Sequence, residues 1–165
     1  MKVYGIMGWS ASGKTTLIER LIPLFVARGL RVSTVKHVHH EVDLDSPGKD
    51  SWRHRNAGAE EVILASRQRL ALMREHRGAE PPLTEVLARL APVDLVLVEG
   101  YKRDTHPKVE LWRAAVGQPP LQPGDPTVRA FATDGAAPPG ITVPVLDLND
   151  PGTIAAFIAR DLGLD

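Results

Sequence analysis

The sequence predicts an α/β fold in which a mostly parallel, twisted sheet is flanked by helices and carries additional antiparallel edge strands. Two observations lead to this prediction. Strand-like and helix-like segments alternate along the 165 residues, as they do in βαβ units. Several strand-like runs, such as Leu95 to Val98, are apolar at consecutive positions, which is typical of parallel strands covered on both faces. Because this length suits one substantial core, we expect a single domain over residues 1–165.

Apolar runs rich in β-branched residues are the predicted strands. They are KVYGIM (2–7), RVSTVKH (31–37), EVILAS (61–66), DLVLVEG (94–100), VRAFAT (128–133) and VPVLDL (143–148). Two more runs, RLALMRE (69–75) and KVELWR (108–113), alternate between apolar and polar residues. Alternation is typical of strands with one solvent-facing side, so we interpret these two as antiparallel additions at a sheet edge.

Apolar residues at helical spacing predict two helices. The first contains Leu17, Ile18, Leu21, Ile22 and Phe25 and stops at Gly29, and the second contains Ile154, Phe157, Ile158 and Leu162. A short helix is expected to begin at Asp50 or Ser51 as its cap and to run to Ala57. The segments 117–126 and 135–140 are rich in Pro and Gly and are predicted to be loops.

Composition excludes several classes of protein. With 20 basic and 20 acidic residues the formal charge is zero, so we expect no nucleic-acid partner held by bulk charge. The absence of cysteine excludes disulfides and thiolate metal sites. No apolar run approaches the roughly 18 residues of a membrane span, and the N-terminus does not resemble a signal peptide. We therefore expect a cytoplasmic protein with no membrane partner.

The segment GWSASGKTT (8–16) matches G-x-x-x-x-G-K-S/T, and it follows a predicted strand and opens a helix. In this motif backbone N–H groups surround a phosphate, and the helix N-terminus adds partial positive charge. The sequence thus predicts a P-loop NTPase fold. The expected nucleotide contacts are Gly8, Ser10, Ala11, Ser12, Gly13, Lys14, Thr15 and Thr16. Lys14 is expected to reach the β- and γ-phosphates, and Thr15 to give its hydroxyl to Mg²⁺.

A P-loop site also needs a carboxylate at the end of another buried strand. Glu99 follows the apolar run of DLVLVEG (94–100), and a carboxylate there is costly unless a positive group meets it. We therefore predict that Thr15 and Glu99 hold Mg²⁺ and that the N–H of Gly100 approaches the γ-phosphate. Asp94 is expected at the opposite end of the strand. The alternative for Glu99 is a carboxylate in a surface turn.

The segment 36–60 is dense in titratable side chains and lies where a switch-like loop is expected. Asp43, Asp45 or Asp50 is suited to orienting water, and Lys49 to neutralising developing charge. Asp43, Lys49 and Asp50 are our candidate catalytic residues.

Histidines in the same segment support a rival interpretation. His37, His39, His40 and Asp43 have the chemistry of a Zn²⁺ or Ni²⁺ site. His39 and His40 are adjacent, however, so in an extended chain they face opposite sides. Solvated loop histidines are the other alternative.

Four blocks of the chain together resemble one protein family. They are GWSASGKTT (8–16), VKHVHHEVDLDSPGKDSWRHRNAGA (35–59), DLVLVEGYKRDTHPKVELWR (94–113) and FATD (131–134). The first block is shared by many NTPases, whereas the second and third are far more discriminating. These blocks resemble the molybdopterin-guanine dinucleotide biosynthesis accessory family, MobB, over most of the chain up to about residue 135.

The resemblance implies a homodimeric protein that binds GTP with Mg²⁺ and hydrolyses it slowly. It also implies association with a molybdopterin guanylyltransferase of the MobA type, and with molybdopterin, to support attachment of GMP. By its position after the run 128–133, Asp134 is assigned to guanine recognition, because a carboxylate accepts hydrogen bonds from the ring N–H and amino group of guanine. The region lacks a full N-K-x-D motif, and a turn residue before Gly135 is the alternative.

Two other functions use the same phosphate loop. One is a metal-delivery GTPase, favoured by the histidines. The other is a small-molecule kinase, for which SRQRLALMREHRG (66–78) is the only candidate lid. The cations Lys102, Arg103, Lys108 and Arg113 either face a pyrophosphate-bearing ligand or are solvated, and Trp9 is expected to be exposed.

Overall fold

The structure is a computed structural model that describes residues 1–38 and 43–164. Its chain divides into two compact units, one formed by Met1–His37 and Leu83–Asp165, the other by Val38–Pro82. The prediction of one domain over residues 1–165 stays a prediction. In chain order, the elements are β1 (Lys2–Gly8), α1 (Lys14–Ala27), β2 (Val32–Lys36), α2 (Asp50–Asn56), β3 (Glu61–Ala65), β4 (Leu70–Arg74), α3 (Leu83–Leu87), β5 (Leu95–Glu99), β6 (Lys108–Trp112), β7 (Val128–Thr133), β8 (Val145–Asp147) and α4 (Pro151–Leu162).

The larger unit is built on a six-stranded sheet of order β2-β5-β1-β6-β7-β8. Each neighbouring pair is parallel. Because the strands run in one direction, their carboxyl ends meet at one edge of the sheet. That edge carries the loop after β1, Lys36 at the end of β2, Glu99 at the end of β5 and Asp134 after β7.

The main core lies between one face of this sheet and the helices α1 and α4. Its fully buried members include Tyr4, Ile6, Leu21, Phe25, Leu95, Leu97, Val109, Leu111, Ile154 and Ile158. Pro151 opens α4, and the carboxylate of Asp150 caps it by accepting from the Thr153 N–H at 3.1 Å. The apolar spacing noted in the sequence therefore marks the buried faces of both long helices.

The opposite face of the sheet carries a second, smaller cluster. Side chains alternate between faces along a strand, so Val96 and Val98 point away from the main core. They pack with Val35 and with Leu83 of α3. This packing covers β5 on both sides and explains why all five of its residues are buried.

Our prediction that 108–113 forms an antiparallel edge strand was wrong. Strand β6 is parallel and central, between β1 and β7. The misleading alternation comes from Lys108 and Glu110, which are buried rather than solvated. The Lys108 ammonium is hydrogen-bonded to the Asp104 carbonyl, to the Thr127 hydroxyl, and to the His106 carbonyl at 3.1 Å. This burial also rules out Lys108 as a cation facing an external pyrophosphate.

The smaller unit contains α2 and an antiparallel hairpin of β3 and β4. The antiparallel prediction for 69–75 is confirmed, but 61–66 does not join the parallel sheet as we expected. A tight turn pairs the two segments, because the N–H of Ser66 donates to the Arg69 carbonyl at 2.8 Å. Among the residues described, no helix is long and apolar enough to cross a bilayer.

The start of α2 also differs from the prediction. Lys49 occupies the cap position and makes no side-chain capping bond. Ser51 lies inside the helix, where its hydroxyl donates to Asp45 Oδ1 at 2.8 Å. The Ser51 side chain thus ties the helix to the preceding loop instead of capping it.

Candidate functional site

The loop between β1 and α1 has a backbone that glycine makes possible. Gly8 and Gly13 have φ of 150° and 95°, and Ala11 also has a positive φ of 63°. A Cβ on Gly8 would overlap the Leu111 carbonyl oxygen and lie 2.7 Å from Ser12 Oγ. A side chain at position 8 would therefore push the loop off the end of β6.

The groups that this loop presents suit an anion. Gly13 is the N-cap of α1 and makes no side-chain capping bond, so the first N–H groups of the helix have no internal acceptor. Ser12 is 1% exposed, and its Oγ has no hydrogen-bond partner among the described residues. A buried hydroxyl without a partner, like that of Ser12, is costly unless a ligand meets it, and a phosphate supplies acceptor atoms for it and for the N–H groups of the helix.

Lys14 is the first residue of α1, and its ammonium donates to the Trp9 carbonyl at 2.8 Å. Burial lowers the pKa of Lys14; the nearby cations Lys102 and Lys36 act in the same direction, while Glu99 opposes them. Two further ammonium groups thus lie close enough to Lys14 to repel its charge. An anionic ligand bound at this loop would relieve that repulsion.

The predicted Mg²⁺ ligands are brought together. The hydroxyl of Thr15 lies 3.1 and 3.2 Å from the two carboxylate oxygens of Glu99. Glu99 is only 9% exposed. It is the last residue of β5 and is not part of a surface turn. Mg²⁺ prefers oxygen ligands and is commonly held by one or two protein groups together with phosphates and waters. The pair fits that ion, and its metal role stays a prediction.

Lys36 belongs to the same cluster and was missed by sequence analysis. Its Nζ lies 3.5 Å from Glu99 Oε1 and donates to Thr15 Oγ1 at 3.4 Å. The sequence shows only that Lys36 ends a predicted strand, and sheet order places that strand next to the one that Glu99 ends. The two residues are register partners in the β2–β5 pair.

Gly100 follows Glu99 with φ of 96°. A Cβ there would lie 2.7 Å from the Cβ of His37, whose ring stacks on Tyr101 with centroids 4.4 Å apart. The Gly100 N–H donates to the Ile6 carbonyl at 3.5 Å. Close packing against His37 is thus one physical reason for glycine here, and the proposed phosphate contact of Gly100 stays a prediction.

Arg113 connects the phosphate loop to Asp134. Its Nε donates to the Ser12 carbonyl at 3.1 Å, and its guanidinium forms an ion pair with the Asp134 carboxylate. Both side chains are about one-third exposed, at 32% and 33%. Asp134 therefore lies beside the phosphate loop with one oxygen held by arginine.

Trp9 is partly buried rather than exposed as we expected. Its indole N–H donates to the Pro119 carbonyl at 2.8 Å, and the Lys102 ammonium lies 4.6 Å from the ring centroid. The loop that contains Pro119 is held by Glu110, whose carboxylate accepts from the N–H groups of Leu121 and Gln122 at 2.8 and 2.7 Å. Burial raises the pKa of Glu110.

The candidate catalytic residues belong to the smaller unit. Asp43 Oδ1 accepts from Arg55 at 2.8 Å, and the same guanidinium reaches Glu75 at 2.6 Å and Asp45 at 3.4 Å. Lys49 is exposed, and so is Asp50, whose carboxylate lies 4.0 Å from the Arg53 guanidinium. Asp43 is thus part of a charge network, and the catalytic roles of Asp43, Lys49 and Asp50 stay predictions.

The rival transition-metal site is only partly visible. His39 and His40 lie outside the described residues. Across residues 1–38 and 43–164, no three His, Asp or Glu side chains are grouped so that they could hold an ion. The Zn²⁺ or Ni²⁺ site stays an alternative that the described residues do not test.

Comparison with known proteins gives a consistent result. A family profile described as molybdopterin guanine dinucleotide synthesis protein B, MobB, matches residues 3–134. The molybdopterin-guanine dinucleotide biosynthesis adapter protein of Escherichia coli (strain K12) is 43% identical over 156 residues, which cover 92% of this chain and 88% of the relative. The protein of the same name from Haemophilus influenzae is 45% identical over 157 residues, covering 93% and 85%.

A solved structure agrees with these relatives. The crystal structure of a MobB protein homolog from Bacillus stearothermophilus is similar with a TM-score of 0.73 and 29% identity, covering 100% of both chains. The predicted fold class, a mostly parallel sheet with flanking helices and extra antiparallel strands, is confirmed.

Proposed function

The chain belongs to the molybdopterin guanine dinucleotide synthesis protein B family, and on that premise we propose that it is a GTP-binding adapter in molybdenum cofactor biosynthesis. In this role it supports transfer of a guanylyl group to molybdopterin. The family resemblance noted in the sequence is confirmed by the matching profile and the two relatives. A cytoplasmic location is part of the same proposal.

The observation that carries the nucleotide proposal is the contact between Thr15 and Glu99 beside a glycine-shaped loop. The loop N–H groups and Lys14 would hold the phosphates. Thr15 and Glu99 would hold Mg²⁺, whose role is to neutralise charge on the terminal phosphates. The protein supplies the position of these groups, since the end of β5 and the start of α1 already bring Glu99 and Thr15 together.

Guanine preference is assigned to Asp134. Arg113 holds one of its carboxylate oxygens, which orients the side chain beside the phosphate loop. The carboxylate can accept from the guanine ring N–H and amino group, a donor pair that adenine does not offer.

Calorimetric titration with GTP and with ATP, both with Mg²⁺, tests this proposal. Wild-type protein should prefer GTP, and Asp134→Asn should lose most of that preference while keeping affinity for inorganic triphosphate. Equal affinity for GTP and ATP in the wild type would contradict the assignment of guanine.

Hydrolysis is proposed to be slow and to serve the adapter role. Asp43 is already engaged by Arg55, which favours a positioning role over proton transfer. Asp50 has a 91% exposed side chain and remains the candidate for orienting water, with Lys49 as the candidate cation. Phosphate release from GTP should be slow in the wild type and slower in Asp50→Asn. A fast rate that is unchanged in Asp50→Asn would contradict both parts of this proposal.

A homodimer is supported by the hairpin of the smaller unit. Ile63, Leu70 and Leu72 are between 46% and 71% exposed there, and the strand register places them on one face of the hairpin. Clustered apolar side chains of this kind mark contact surfaces. Analytical ultracentrifugation should show a dimer that Leu70→Glu weakens. Leu44→Glu changes an equally apolar and exposed residue outside the hairpin, and it should leave the dimer unchanged.

The proposed partners are a MobA-type guanylyltransferase and molybdopterin. Purified guanylyltransferase should bind this protein more tightly when GTP and Mg²⁺ are present than when they are absent. A nucleotide-independent affinity would argue against an adapter that responds to GTP.

The kinase and metal-delivery functions remain the alternatives. Residues 70–74 of the candidate lid form strand β4, which is a poor match for a mobile Arg-rich lid. Preference for ATP with phosphate transfer to an acceptor would support a kinase. Tight Ni²⁺ or Zn²⁺ binding that is lost on replacing His37 and His39 would support metal delivery.

A further inference from the structure

Lys36 contacts both side chains assigned to Mg²⁺, and this double contact affects how Mg²⁺ binds to them. Its ammonium is 3.5 Å from Glu99 Oε1 and 3.4 Å from Thr15 Oγ1. A cation placed between these two oxygen groups competes with any other cation for the same lone pairs.

The environment of Glu99 explains why such a cation is needed. Its side chain is 11% exposed, and a buried carboxylate is costly to keep charged without a partner. Lys14 directs its own ammonium to the Trp9 carbonyl. The ion pair with Lys36 therefore supplies positive charge to Glu99 in the form of the protein seen here.

Lys36 is also able to leave. Its side chain is 55% exposed, so the ammonium can return to solvent or turn toward bound phosphates at small desolvation cost. The flexible lysine stem permits this movement without any change in strand β2.

We propose that Lys36 is a built-in counter-ion for the Mg²⁺ site. It holds Glu99 and Thr15 in place when no divalent cation is bound, and it releases both when one binds. This inference rests on the proposed GTP-binding function. Its consequence is that the wild-type protein retains part of its GTP affinity without Mg²⁺, because Lys36 substitutes in part for the ion.

The experiment compares GTP affinity with Mg²⁺ and with EDTA, measured by calorimetry. Lys36→Met removes the ammonium and keeps most of the apolar stem, whereas Lys36→Arg keeps the charge. The ratio of the dissociation constant in EDTA to that in Mg²⁺ should be about tenfold larger in Lys36→Met than in wild type, which is the effect of losing one charge-assisted contact. Lys36→Arg should stay close to the wild-type ratio.

Lys102→Met is the matched control. Lys102 also acts electrostatically on Lys14, but its ammonium lies over the Trp9 ring. Its loss should weaken binding by a similar factor in both conditions and leave the ratio unchanged. If Lys36→Met does not fold, Lys36→Gln gives the same comparison.

Three results distinguish this inference from the proposed function. An unchanged ratio in Lys36→Met would overturn the inference, and so would an equal change in Lys102→Met, since the effect would then be one of overall charge. If the wild type binds no GTP, the proposed function fails. Inorganic tripolyphosphate, titrated with Mg²⁺ and with EDTA in the same variants, then tests Lys36 by itself.

Discussion

Replacing Lys14 by alanine separates nucleotide binding from folding. In the structure the Lys14 ammonium makes one hydrogen bond, to the Trp9 carbonyl at 2.8 Å. Because the donor is charged, removing this partly exposed bond costs about 1.5 kcal/mol of unfolding free energy, the low end of the range for charge-assisted bonds. Alanine also has the highest helix propensity, and position 14 is the first residue of α1. The variant should therefore still fold, with only a modest loss of stability.

The effect on GTP should be much larger. If Lys14 exchanges the Trp9 carbonyl for two phosphate oxygens, it gains two charge-assisted hydrogen bonds, each worth about 1.5–3 kcal/mol. Allowing for the bond that is given up, the loss in Lys14→Ala is about 3 kcal/mol, which corresponds to a dissociation constant raised by roughly a hundredfold or more.

Calorimetric titration with GTP and Mg²⁺ measures the affinity, and urea denaturation of the same samples measures stability. Lys2→Ala is the matched control, since it removes one lysine at the start of β1, away from the carboxyl edge of the sheet. A dissociation constant within threefold of the wild-type value in Lys14→Ala, roughly 0.65 kcal/mol, would refute the assignment of the phosphate site. A large loss of stability would refute the reading of Lys14 as a binding residue only.

Three further predictions concern buried or nearly buried groups. Glu99→Gln keeps the shape of the side chain but removes its charge, so Mg²⁺-dependent GTP hydrolysis should fall, and a rate equal to that of wild type would contradict the metal role. Burial lowers the pKa of His106 from 6.5 to about 4. The stability that neutral His106 contributes is therefore fully present above pH 6.5. It is lost as the pH falls from 6.5 toward 4, by about 2 kcal/mol once partial solvent screening is allowed for. This loss should be absent from urea denaturation of His106→Leu and retained in the exposed control His76→Gln. Glu110→Gln leaves one of the N–H groups of Leu121 and Gln122 without its acceptor and should lower the unfolding free energy by about 1–3 kcal/mol, which thermal or urea denaturation would detect.

Features encoded by neighbouring residues were predicted from the sequence. The phosphate loop is a continuous motif with its strand and helix attached, and its glycines carry the positive φ values that the motif needs. Glu99 could be identified from the sequence because a single charged residue ends a run of four apolar ones. In both cases the relevant physics acts within about ten residues of chain.

The orientation of β6 could not be read in this way. Lys108 and Glu110 suggest alternating exposed and buried positions only if a charged side chain is assumed to be exposed. Both side chains are in fact buried and hydrogen-bonded to partners from the segments 104–107 and 121–127. Gly5 belongs to the same arrangement, since a Cβ there would lie 2.6 Å from the His106 ring. Such partners are set by tertiary contacts, which periodicity does not contain.

Lys36 escaped detection for a related reason. Its meaning depends on which strand lies next to β2, and the observed order places β5 there with Lys36 and Glu99 in register. Had β2 been adjacent to β1 instead, the same lysine would have met different groups. Sheet order, not local sequence, therefore decides that this cation and the predicted Mg²⁺ ligands share one site.

The polar layer behind β6 also links stability to the phosphate loop. Glu110 fixes the N–H groups of Leu121 and Gln122, and the same loop offers the Pro119 carbonyl to the indole of Trp9. Trp9 in turn gives its own carbonyl to Lys14. A change that frees the loop 117–126 therefore removes the hydrogen bond that fixes Trp9 within the predicted phosphate loop, so Glu110→Gln should weaken GTP binding as well as folding, although Glu110 itself contacts no part of the predicted nucleotide site.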